Sequence, residues 1–304
     1  MITVLSGGVG AARLLAALSD AVDPSELTAV VNVGDDLVMH GLTISPDLDT
    51  IMYTLAGRNN TELGWGLVGE SWRVMEGLDD LGGDAWFRLG DRDLATHLYR
   101  SQRLSQGATK SQITTELTNR LGVRVRLLPV TDDAVATYFD TELGRLNFQE
   151  YFVRHHHDVA VRAIDIVGVD EATATTEVMD ALRDASRIVI APSNPLISID
   201  PILRVRGVRE VLEQRRDVVV GVSPIIDGHA LKGPADRLLA ELGHEVSCLG
   251  VLDFYKGLVG TWIIDVADAG RAGEARSRDV NVVVTTTIMA EPENARRLCA
   301  AVVA

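Results

Sequence analysis

The chain has 304 residues, 46% of them hydrophobic, and a formal net charge of −14 at pH 7. This length can bury a sizeable core, and the acidic balance argues against a nucleic-acid-binding protein, which would present a basic face. No apolar run reaches the roughly 18 residues that a membrane span needs. Two cysteines, Cys248 and Cys299, are too few for a disulfide framework or a cysteine-based zinc site. We therefore expect a cytoplasmic protein.

The N-terminal segment is predicted to form a strand, a glycine turn and a helix. Residues 2–5 are strand-like, Ser6-Gly7-Gly8-Val9-Gly10 forms the turn, and leucines recur at helical spacing over 11–18. The segment has no basic region and so does not resemble a signal peptide. Such a turn lets backbone N–H groups approach a phosphate, although the spacing is not a full G-x-G-x-x-G and no Walker lysine follows. It predicts a nucleotide or phosphate site, and the alternative is a tight turn without a ligand.

Four carboxylates follow the second predicted strand. Asp35 and Asp36 come directly after a glycine, and Asp47 and Asp49 follow a proline, before a helix predicted to begin near Thr50. Four acids within fifteen residues repel one another unless a cation or hydrogen bonds offset their charge. Mg²⁺ usually takes one or two carboxylates together with phosphate oxygens and water. The loop therefore predicts a magnesium site, and the alternative is an ordinary turn in which Asp49 caps the helix.

Residues 61–90 are rich in glycine and contain Trp65, Trp72 and Trp86, a composition that suits a pocket wall holding a planar ring. Simple packing explains any single tryptophan equally well. Gly90-Asp91-Arg92-Asp93 is predicted to open a helix, with Asp91 or Asp93 as its cap.

A helix over 109–121 and a strand over 123–130 lead into a β-rich insert near 130–166. Three segments of the insert are predicted to form hairpin strands, the last of them Tyr151-Phe152-Val153. His155-His156-His157 would continue that strand, and adjacent side chains of a strand point to opposite faces. The three histidines are therefore poor joint metal ligands, and a solvated strand end is the favoured interpretation.

From residue 173 onward helices and strands alternate again. A strand over 187–191 runs into Pro192-Ser193-Asn194-Pro195, and the carboxyl end of a parallel strand is where open sheets bind ligands. Further strands are predicted over 217–222, 245–250, 261–266 and 280–284. The alternation predicts a single α/β domain over 1–304, with a doubly wound, mostly parallel sheet and the insert as a small subdomain.

Six segments occur in the order found in one known family. They are Ser6-Gly7-Gly8-Val9-Gly10, Val31-Asn32-Val33-Gly34-Asp35-Asp36, Ser45-Pro46-Asp47-Leu48-Asp49-Thr50, Gly90-Asp91-Arg92-Asp93, Ala191-Pro192-Ser193-Asn194-Pro195 and Ser223-Pro224-Ile225-Ile226. The chain resembles, over nearly its whole length, the 2-phospho-L-lactate transferase family of coenzyme F420 biosynthesis, including its actinobacterial phosphoenolpyruvate-transferring members.

The resemblance implies a Rossmann-like α/β fold, a homodimer and a magnesium-dependent enzyme with small-molecule substrates. The family's reaction joins a GDP-activated phospho-acid to the terminal ribityl hydroxyl of the deazaflavin Fo. GMP leaves, and a phosphodiester remains in the product, (dehydro) coenzyme F420-0. The donor's acid would be phospholactate, phosphoenolpyruvate or phosphoglycerate, which differ by few atoms, and no motif in the sequence distinguishes them.

The resemblance also implies roles for the acids of the loop. Asp35 and Asp47 match the family's magnesium-binding residues. As a hypothesis, Asp36 or Asp49 orients or deprotonates the Fo hydroxyl.

Eight further residues are implied to contact the substrates. They are Gly7, Gly8 and Gly10 in the nucleotide-phosphate loop, Ser193 and Asn194 in the turn that contacts the nucleotide, and Asp91, Arg92 and His97 as candidates for Fo.

Two alternatives come from other functional classes. UDP-sugar-binding regulators of central metabolism share the N-terminal glycine turn, but Gly-Gly-Ser-Ser-Gly follows their paired acids, where Leu37-Val38-Met39-His40-Gly41 follows here. An NAD(P)-dependent oxidoreductase would hold a ribose with an acid at the end of the second strand, and Asp35 or Asp36 would qualify. The broken glycine spacing and the clustered acids count against the second alternative.

Overall fold

The computed structural model describes residues 1–304, which form fourteen strands and twelve helices. The strands are β1 (Ile2–Ser6), β2 (Leu27–Val31), β3 (Leu37–Met39), β4 (Leu42–Ile44), β5 (Arg126–Pro129), β6 (Ala136–Thr141), β7 (Gly144–Asn147), β8 (Val161–Val167), β9 (Arg187–Ile190), β10 (Val219–Val222), β11 (Ile225–Ile226), β12 (His229–Ala230), β13 (Thr261–Asp265) and β14 (Asn281–Thr285).

The helices are α1 (Gly8–Ala21), α2 (Pro46–Leu55), α3 (Arg73–Asp80), α4 (Asp93–Ser105), α5 (Lys110–Leu121), α6 (Thr176–Asp184), α7 (Asp200–Arg204), α8 (Val208–Gln214), α9 (Ala235–Glu241), α10 (Cys248–Phe254), α11 (Ala272–Arg276) and α12 (Pro292–Val303). None of them is both long and apolar enough to cross a membrane.

Seven strands form one sheet in the order β5-β2-β1-β9-β10-β13-β14, and every neighbouring pair is parallel. Counted along the chain, this order is 3-2-1-4-5-6-7, the Rossmann order with a seventh strand added. β1, β2 and β10 are buried along their full lengths, as expected when helices flank a parallel sheet. The predicted doubly wound, Rossmann-like α/β fold is confirmed, and its strand order reverses between β1 and β9.

The insert between β5 and β9 contains a three-stranded antiparallel sheet in the order β7-β6-β8. The prediction of a third hairpin strand is wrong, because residues 150–154 form a π-helical turn. Tyr151 is fully buried in this turn and its ring stacks on Phe139, with 4.1 Å between the centroids. Aromatic residues favour strands on average, but this stacking contact is equally available from a helical turn.

Two other element predictions need correction. The segment 245–250 is not a strand, since α10 begins at Cys248 and the hydroxyl of Ser247 accepts hydrogen bonds from two backbone N–H groups of its first turn. The helix predicted to begin near Thr50 begins at Pro46, a favoured residue for a first turn. Asp49 therefore lies inside α2 and does not cap it.

Candidate functional site

A cavity of about 730 Å³ opens at the carboxyl ends of the sheet strands. This volume falls within the range of small-molecule sites in proteins. Its floor includes the glycine turn after β1 and the Pro192–Asn194 turn after β9. The cavity therefore lies at the reversal of strand order, where doubly wound sheets bind their ligands.

The turn after β1 needs its glycines for two reasons, close packing at Gly7 and backbone conformation at Gly8. A Cβ on Gly7 would lie 2.7 Å from the Cβ of Ser198 and 2.9 Å from Oδ2 of Asp47. Gly8 has φ of +70°, a backbone conformation that favours glycine. Its N–H donates a 2.6 Å hydrogen bond to Oδ1 of Asp47. The turn thus packs directly against one of the predicted metal ligands.

The turn after β9 packs on the same glycines. A Cβ on Gly10 would lie 2.6 Å from the carbonyl oxygen of Pro192, and the Ser193 hydroxyl donates to the Gly7 carbonyl at 2.7 Å. The side-chain oxygen of Asn194 accepts a backbone N–H of the following turn, whereas its buried Nδ2 has no partner. Buried polar groups are normally hydrogen-bonded, so this amide is a donor available to a ligand.

Asp35 and Asp47 form a buried acid pair beneath the glycine turn. They are 3% and 8% exposed, and the backbone N–H of Asp47 donates to Oδ2 of Asp35 at 3.1 Å. Oδ2 of Asp47 accepts from Nδ2 of Asn32 at 2.9 Å. Oδ1 of Asp35 is buried without any partner.

The electrostatics of the pair favour binding of a cation. Burial raises the pKa of Asp35 well above its ordinary value, and the nearby Asp47 and Asp36 carboxylates raise it further. Burial likewise raises the pKa of Asp47 to about 6, against hydrogen bonds from Asn32 and Gly8 that lower it. Two close carboxylates, one with an unpartnered oxygen, are the donor set that a hard divalent cation prefers, so the residues fit Mg²⁺.

Asp36 turns away from this pair. Its Oδ2 lies 2.6 Å from Nζ of Lys110 at the start of α5, and Asp36 does not line the cavity. The chain itself therefore supplies the counter-charge for this third carboxylate.

Asp49 belongs to a second buried cluster, between α2 and α4. Arg100 donates to both of its carboxylate oxygens, and both residues are buried. Burial raises the pKa of Asp49, while the charge of Arg100 opposes that shift. Nε2 of His97 lies 3.2 Å from Oδ2 of Asp93. The other carboxylate oxygen of Asp93, Oδ1, accepts a 2.6 Å hydrogen bond from the hydroxyl of Tyr53.

His97 lines the cavity but is only 1% exposed. Nη1 of Arg100 lies 3.2 Å from its Nδ1. Because a guanidinium only donates, we infer that Nδ1 accepts and that the ring proton is on Nε2, facing Asp93. Nδ1 is then occupied by Arg100, whereas the buried Nε2 has no hydrogen-bond partner although it lies 3.2 Å from the Asp93 carboxylate.

Asp91 and Arg92 lie outside the cavity lining. Asp91 accepts hydrogen bonds from the Ser71 hydroxyl and from the first backbone N–H groups of α3, and Arg92 donates to the Val68 carbonyl at 2.6 Å. Both residues tie the 61–90 segment to α4. The structure therefore places these two candidates outside the residues that line the cavity.

Aromatic side chains line the cavity from two directions. Trp65 and Trp86 come from the 61–90 segment, as that segment's composition predicts, whereas Trp72 packs edge-on against Trp65 outside the lining. Phe148 and Phe152 come from the insert and stack on each other with 5.5 Å between their centroids. No periodicity or motif in the sequence indicates these phenylalanines as site residues.

The insert also contributes polar residues to the site. Nε2 of Gln149 donates to the backbone carbonyl of Asp35 at 3.1 Å, and the N–H of Thr137 donates to the Gly34 carbonyl at 2.8 Å. His156 and His157 line the cavity from a turn in which both have positive φ, and they do not continue a strand. The insert therefore fixes the acidic loop and forms part of the cavity wall.

Three cationic side chains, Arg13, Arg88 and Lys232, line the cavity. Arg13 lies on α1, one turn beyond Gly10, Arg88 lies between α3 and α4, and Lys232 lies before α9. None of the three forms a salt bridge with a carboxylate of the chain. In a chain of net charge −14, unpaired cations at a cavity favour an anionic ligand.

Comparisons with known proteins agree with this geometry. The sequence profile of the family described as 2-phospho-L-lactate transferase CofD matches residues 2–300. The phosphoenolpyruvate transferase of Mycolicibacterium smegmatis is 42% identical over 96% of this chain and 94% of its own length. The 2-phospho-L-lactate transferase of Methanosarcina acetivorans is 36% identical over 99% of this chain and 97% of its own length.

Among solved structures, protein BH3568 from Bacillus halodurans has a similar fold, with a TM-score of 0.65 and 18% identity over 100% of this chain and 99% of that one. The match at this identity shows the fold alone. The family profile and the relatives span almost the entire chain, including every segment that forms the cavity. The chain belongs to the 2-phospho-L-lactate transferase (CofD) family.

Proposed function

We propose that the protein joins a GDP-activated phospho-acid, 2-phospholactate or phosphoenolpyruvate, to the ribityl hydroxyl of the deazaflavin Fo and releases GMP. Membership of the family supports the coarser statement, transfer of a phospholactate or phosphoenolpyruvate group in F420 biosynthesis. The observation that carries the finer proposal is one cavity with a buried acid pair between a glycine turn and an aromatic wall.

The donor's diphosphate fits the end of the cavity at the reversal of strand order. The first N–H groups of a helix have no intrahelical partner and favour anions. The start of α1 faces the cavity at Gly8, Val9 and Gly10, and because the N–H of Gly8 already donates to Asp47, the donors for an anion are those of Val9 and Gly10. The unpartnered Nδ2 of Asn194 adds a neutral donor. Arg13 adds a positive charge.

Asp35 and Asp47 would hold Mg²⁺. When bound there, the ion would supply charge neutralisation for the donor's phosphates, as metals do in phosphoryl transfer. Oδ1 of Asp35 is available without breaking any hydrogen bond. Oδ1 and Oδ2 of Asp47 each accept one hydrogen bond and keep a further lone pair.

The deazaflavin ring of the acceptor fits the aromatic wall. Trp65 and Trp86 on one side and Phe148 on the other offer flat apolar surfaces, and aromatic faces pack against planar rings in offset or edge-on arrangements. In the transfer, the acceptor hydroxyl oxygen forms a bond to the phosphorus of the phospho-acid, and the bond from that phosphorus to the GMP oxygen breaks. The hydroxyl proton leaves to solvent.

Asp36 and Asp49, the two hypothesised bases, receive positioning roles in this proposal. Both oxygens of Asp49 accept from Arg100, and Asp36 pairs with Lys110 outside the cavity. Phosphoryl transfer depends mainly on positioning and on stabilising charge, with little covalent help from the protein. The side chains that line the cavity are consistent with such a mechanism.

The test uses purified protein, Fo, Mg²⁺ and GDP-linked donors of phospholactate, phosphoenolpyruvate and phosphoglycerate generated in situ. We expect mass spectrometry to detect an Fo phosphodiester and GMP, both lost on addition of EDTA, and the product mass to name the acid. The absence of product with all three donors, together with tight binding of a UDP-sugar or NAD, would replace the proposal with one of its alternatives.

A further inference from the structure

We propose that Asn32 is a positioning residue that sets the geometry of the Asp35–Asp47 pair for its cation, an inference that rests on the metal-binding part of the proposed function. Asn32 is 1% exposed at the end of β2 and is absent from the cavity lining. It therefore acts on a ligand only through its neighbours.

The amide of Asn32 closes a ring of hydrogen bonds through both acids. Its Nδ2 donates to Oδ2 of Asp47 at 2.9 Å, and its Oδ1 accepts from the N–H of Gly34 at 2.9 Å. Gly34 is the residue before Asp35, and Oδ2 of Asp35 accepts from the N–H of Asp47 at 3.1 Å. One side chain thus fixes the carboxylate of Asp47 and, through the turn, the position of Asp35.

The ring leaves one carboxylate oxygen free. Oδ2 of Asp35 and both oxygens of Asp47 already accept hydrogen bonds, whereas Oδ1 of Asp35 is buried and has no partner. Metal-ligating carboxylates are themselves oriented by hydrogen bonds from residues behind them. In this ring Asn32 orients the two carboxylates, and Oδ1 of Asp35 is the oxygen left to bind a cation.

Only a neutral amide satisfies both contacts of Asn32. Its two ends are a donor and an acceptor, so a carboxylate at this position would face Asp47 with a like charge, and an alkyl side chain would leave both partners unpaired. Gly34 permits the close approach, since a Cβ there would lie 3.2 Å from Oδ1 of Asn32 and 2.8 Å from Oγ1 of Thr137.

The bond to Gly34 and the bond to Asp47 can be separated by mutation. The first spans two residues and is an Asx-turn, which a serine hydroxyl can reproduce. The second requires the longer amide. Asn32→Ser therefore keeps the turn and removes the contact with Asp47, together with the long 3.5 Å contact of Nδ2 with the Ile197 carbonyl, whereas a larger disruption such as Asn32→Leu removes all three and risks the fold.

Loss of a hydrogen bond to a metal ligand typically weakens metal affinity by about 10–100-fold. We expect Asn32→Ser to raise the Kd for Mn²⁺ by about that factor, with free Mn²⁺ measured by electron paramagnetic resonance in a titration of protein without substrates. The matched control is Thr3→Val, which removes the 2.7 Å hydrogen bond of another fully buried polar side chain, to the Ala181 carbonyl. It should leave the Kd unchanged.

A second readout separates positioning from stability. In the transfer assay, we expect the Mg²⁺ concentration for half-maximal rate to rise by a similar factor in Asn32→Ser, while kcat at saturating Mg²⁺ stays close to that of the parent protein. A residue that only stabilises the fold would lower the rate equally at all Mg²⁺ concentrations. That pattern, or an unchanged Mn²⁺ Kd, would overturn the role of Asn32 and leave the proposed function standing.

Mn²⁺ binding by the parent protein tests the metal site separately from the role of Asn32. If it binds no Mn²⁺ although it is folded, both the metal site and the role of Asn32 are overturned. If it binds Mn²⁺ and Asn32→Ser binds more weakly at unchanged folded fraction, the positioning role is supported independently of turnover.

Discussion

The first turns of α2 carry two buried acids, Asp47 and Asp49. They belong to two clusters that differ in whether the protein itself supplies a cation to balance the charge. Asp47 faces Asp35, and no cationic side chain contacts either carboxylate. Asp49, two residues later, is paired through both of its oxygens with the guanidinium of Arg100. Both acids are almost inaccessible to solvent, so burial alone does not distinguish them.

The two clusters therefore differ in where the balancing positive charge comes from. Arg100 supplies it in the structural cluster of Asp49, whereas the Asp35–Asp47 pair needs a bound cation. A buried ion pair with its own arginine is complete, and it joins α2 to α4 beside the bond from Tyr53 to Asp93. A buried pair of acids without a cation is electrostatically unfavourable until a cation or protons arrive. The three predictions below test this difference, from the largest expected effect to the smallest.

Arg100→Met should destabilise the protein by about 3–5 kcal/mol, because removing one partner of a buried ion pair leaves an uncompensated charge. Urea denaturation at pH 7 measures the loss of unfolding free energy. The double variant Arg100→Met/Asp49→Asn is the control and should recover more than half of the loss. A cost below about 1 kcal/mol, the value for an exposed pair, would contradict the structural role of this cluster.

Asp35→Asn should have the opposite profile, with turnover reduced by about 10²–10³-fold, as when a charge-stabilising group is lost. The unfolding free energy of the metal-free protein should not fall, because the new side chain still accepts from the N–H of Asp47 and a repulsive buried charge is gone. Steady-state kinetics and urea denaturation give the two values.

Asp36→Asn is the matched control for that variant, since the two acids are adjacent and Asp36 pairs with Lys110. Its effect on turnover should be much smaller. Equal losses of turnover in the two variants would show that the loop acts as a single acidic patch, without a distinct pair.

Binding of Mn²⁺ should release protons, more at pH 6 than at pH 8. The pKa of Asp47 is raised to about 6 by burial, so below that pH the metal-free side chain is mostly protonated and must lose its proton to bind the ion. At pH 6 Asp47 should release about half a proton, and Asp35 adds to this value. Apparent affinity should fall as the pH drops below about 6.

Calorimetric titrations in two buffers of different ionisation enthalpy measure this release at each pH. A release that is the same at pH 6 and pH 8 would contradict the raised pKa of Asp47, and with it the contrast between the two clusters.

Much of the site could be predicted from the sequence because its residues lie next to strand ends. The glycine turn and Asp35 follow strands whose apolar runs are clear, and parallel strands bring their carboxyl ends to one edge. Of the three neighbouring candidates Asp91, Arg92 and His97, only His97 lines the cavity. The direction of each side chain depends on the residue at which α4 begins and on the face that α4 packs against the rest of the protein, and the local sequence fixes neither.

Other features depend on tertiary contacts that no local pattern encodes. The apolar run around residues 245–250 is too short for periodicity to separate a strand from a buried helix, and only Ser247 offered a capping signal for the helix. Gln149 contacts the acidic loop across 114 residues of chain. Asn32 belongs to one of the family's sequence motifs, but its hydrogen bond to Asp47 joins residues 15 positions apart, and only the three-dimensional structure shows it.

The hydrogen bond from Ser193 to Gly7 joins residues 186 positions apart, which has a consequence for folding. During synthesis the edge of β1 that pairs with β9 stays open until well over half of the chain has been made. Pairing of such distant segments carries a large loop-closure cost and is expected to be slow. The cavity is therefore completed late, and a nascent chain ending before β9 presents an unpaired edge of a strand that is fully buried in the finished fold, which makes it prone to aggregation.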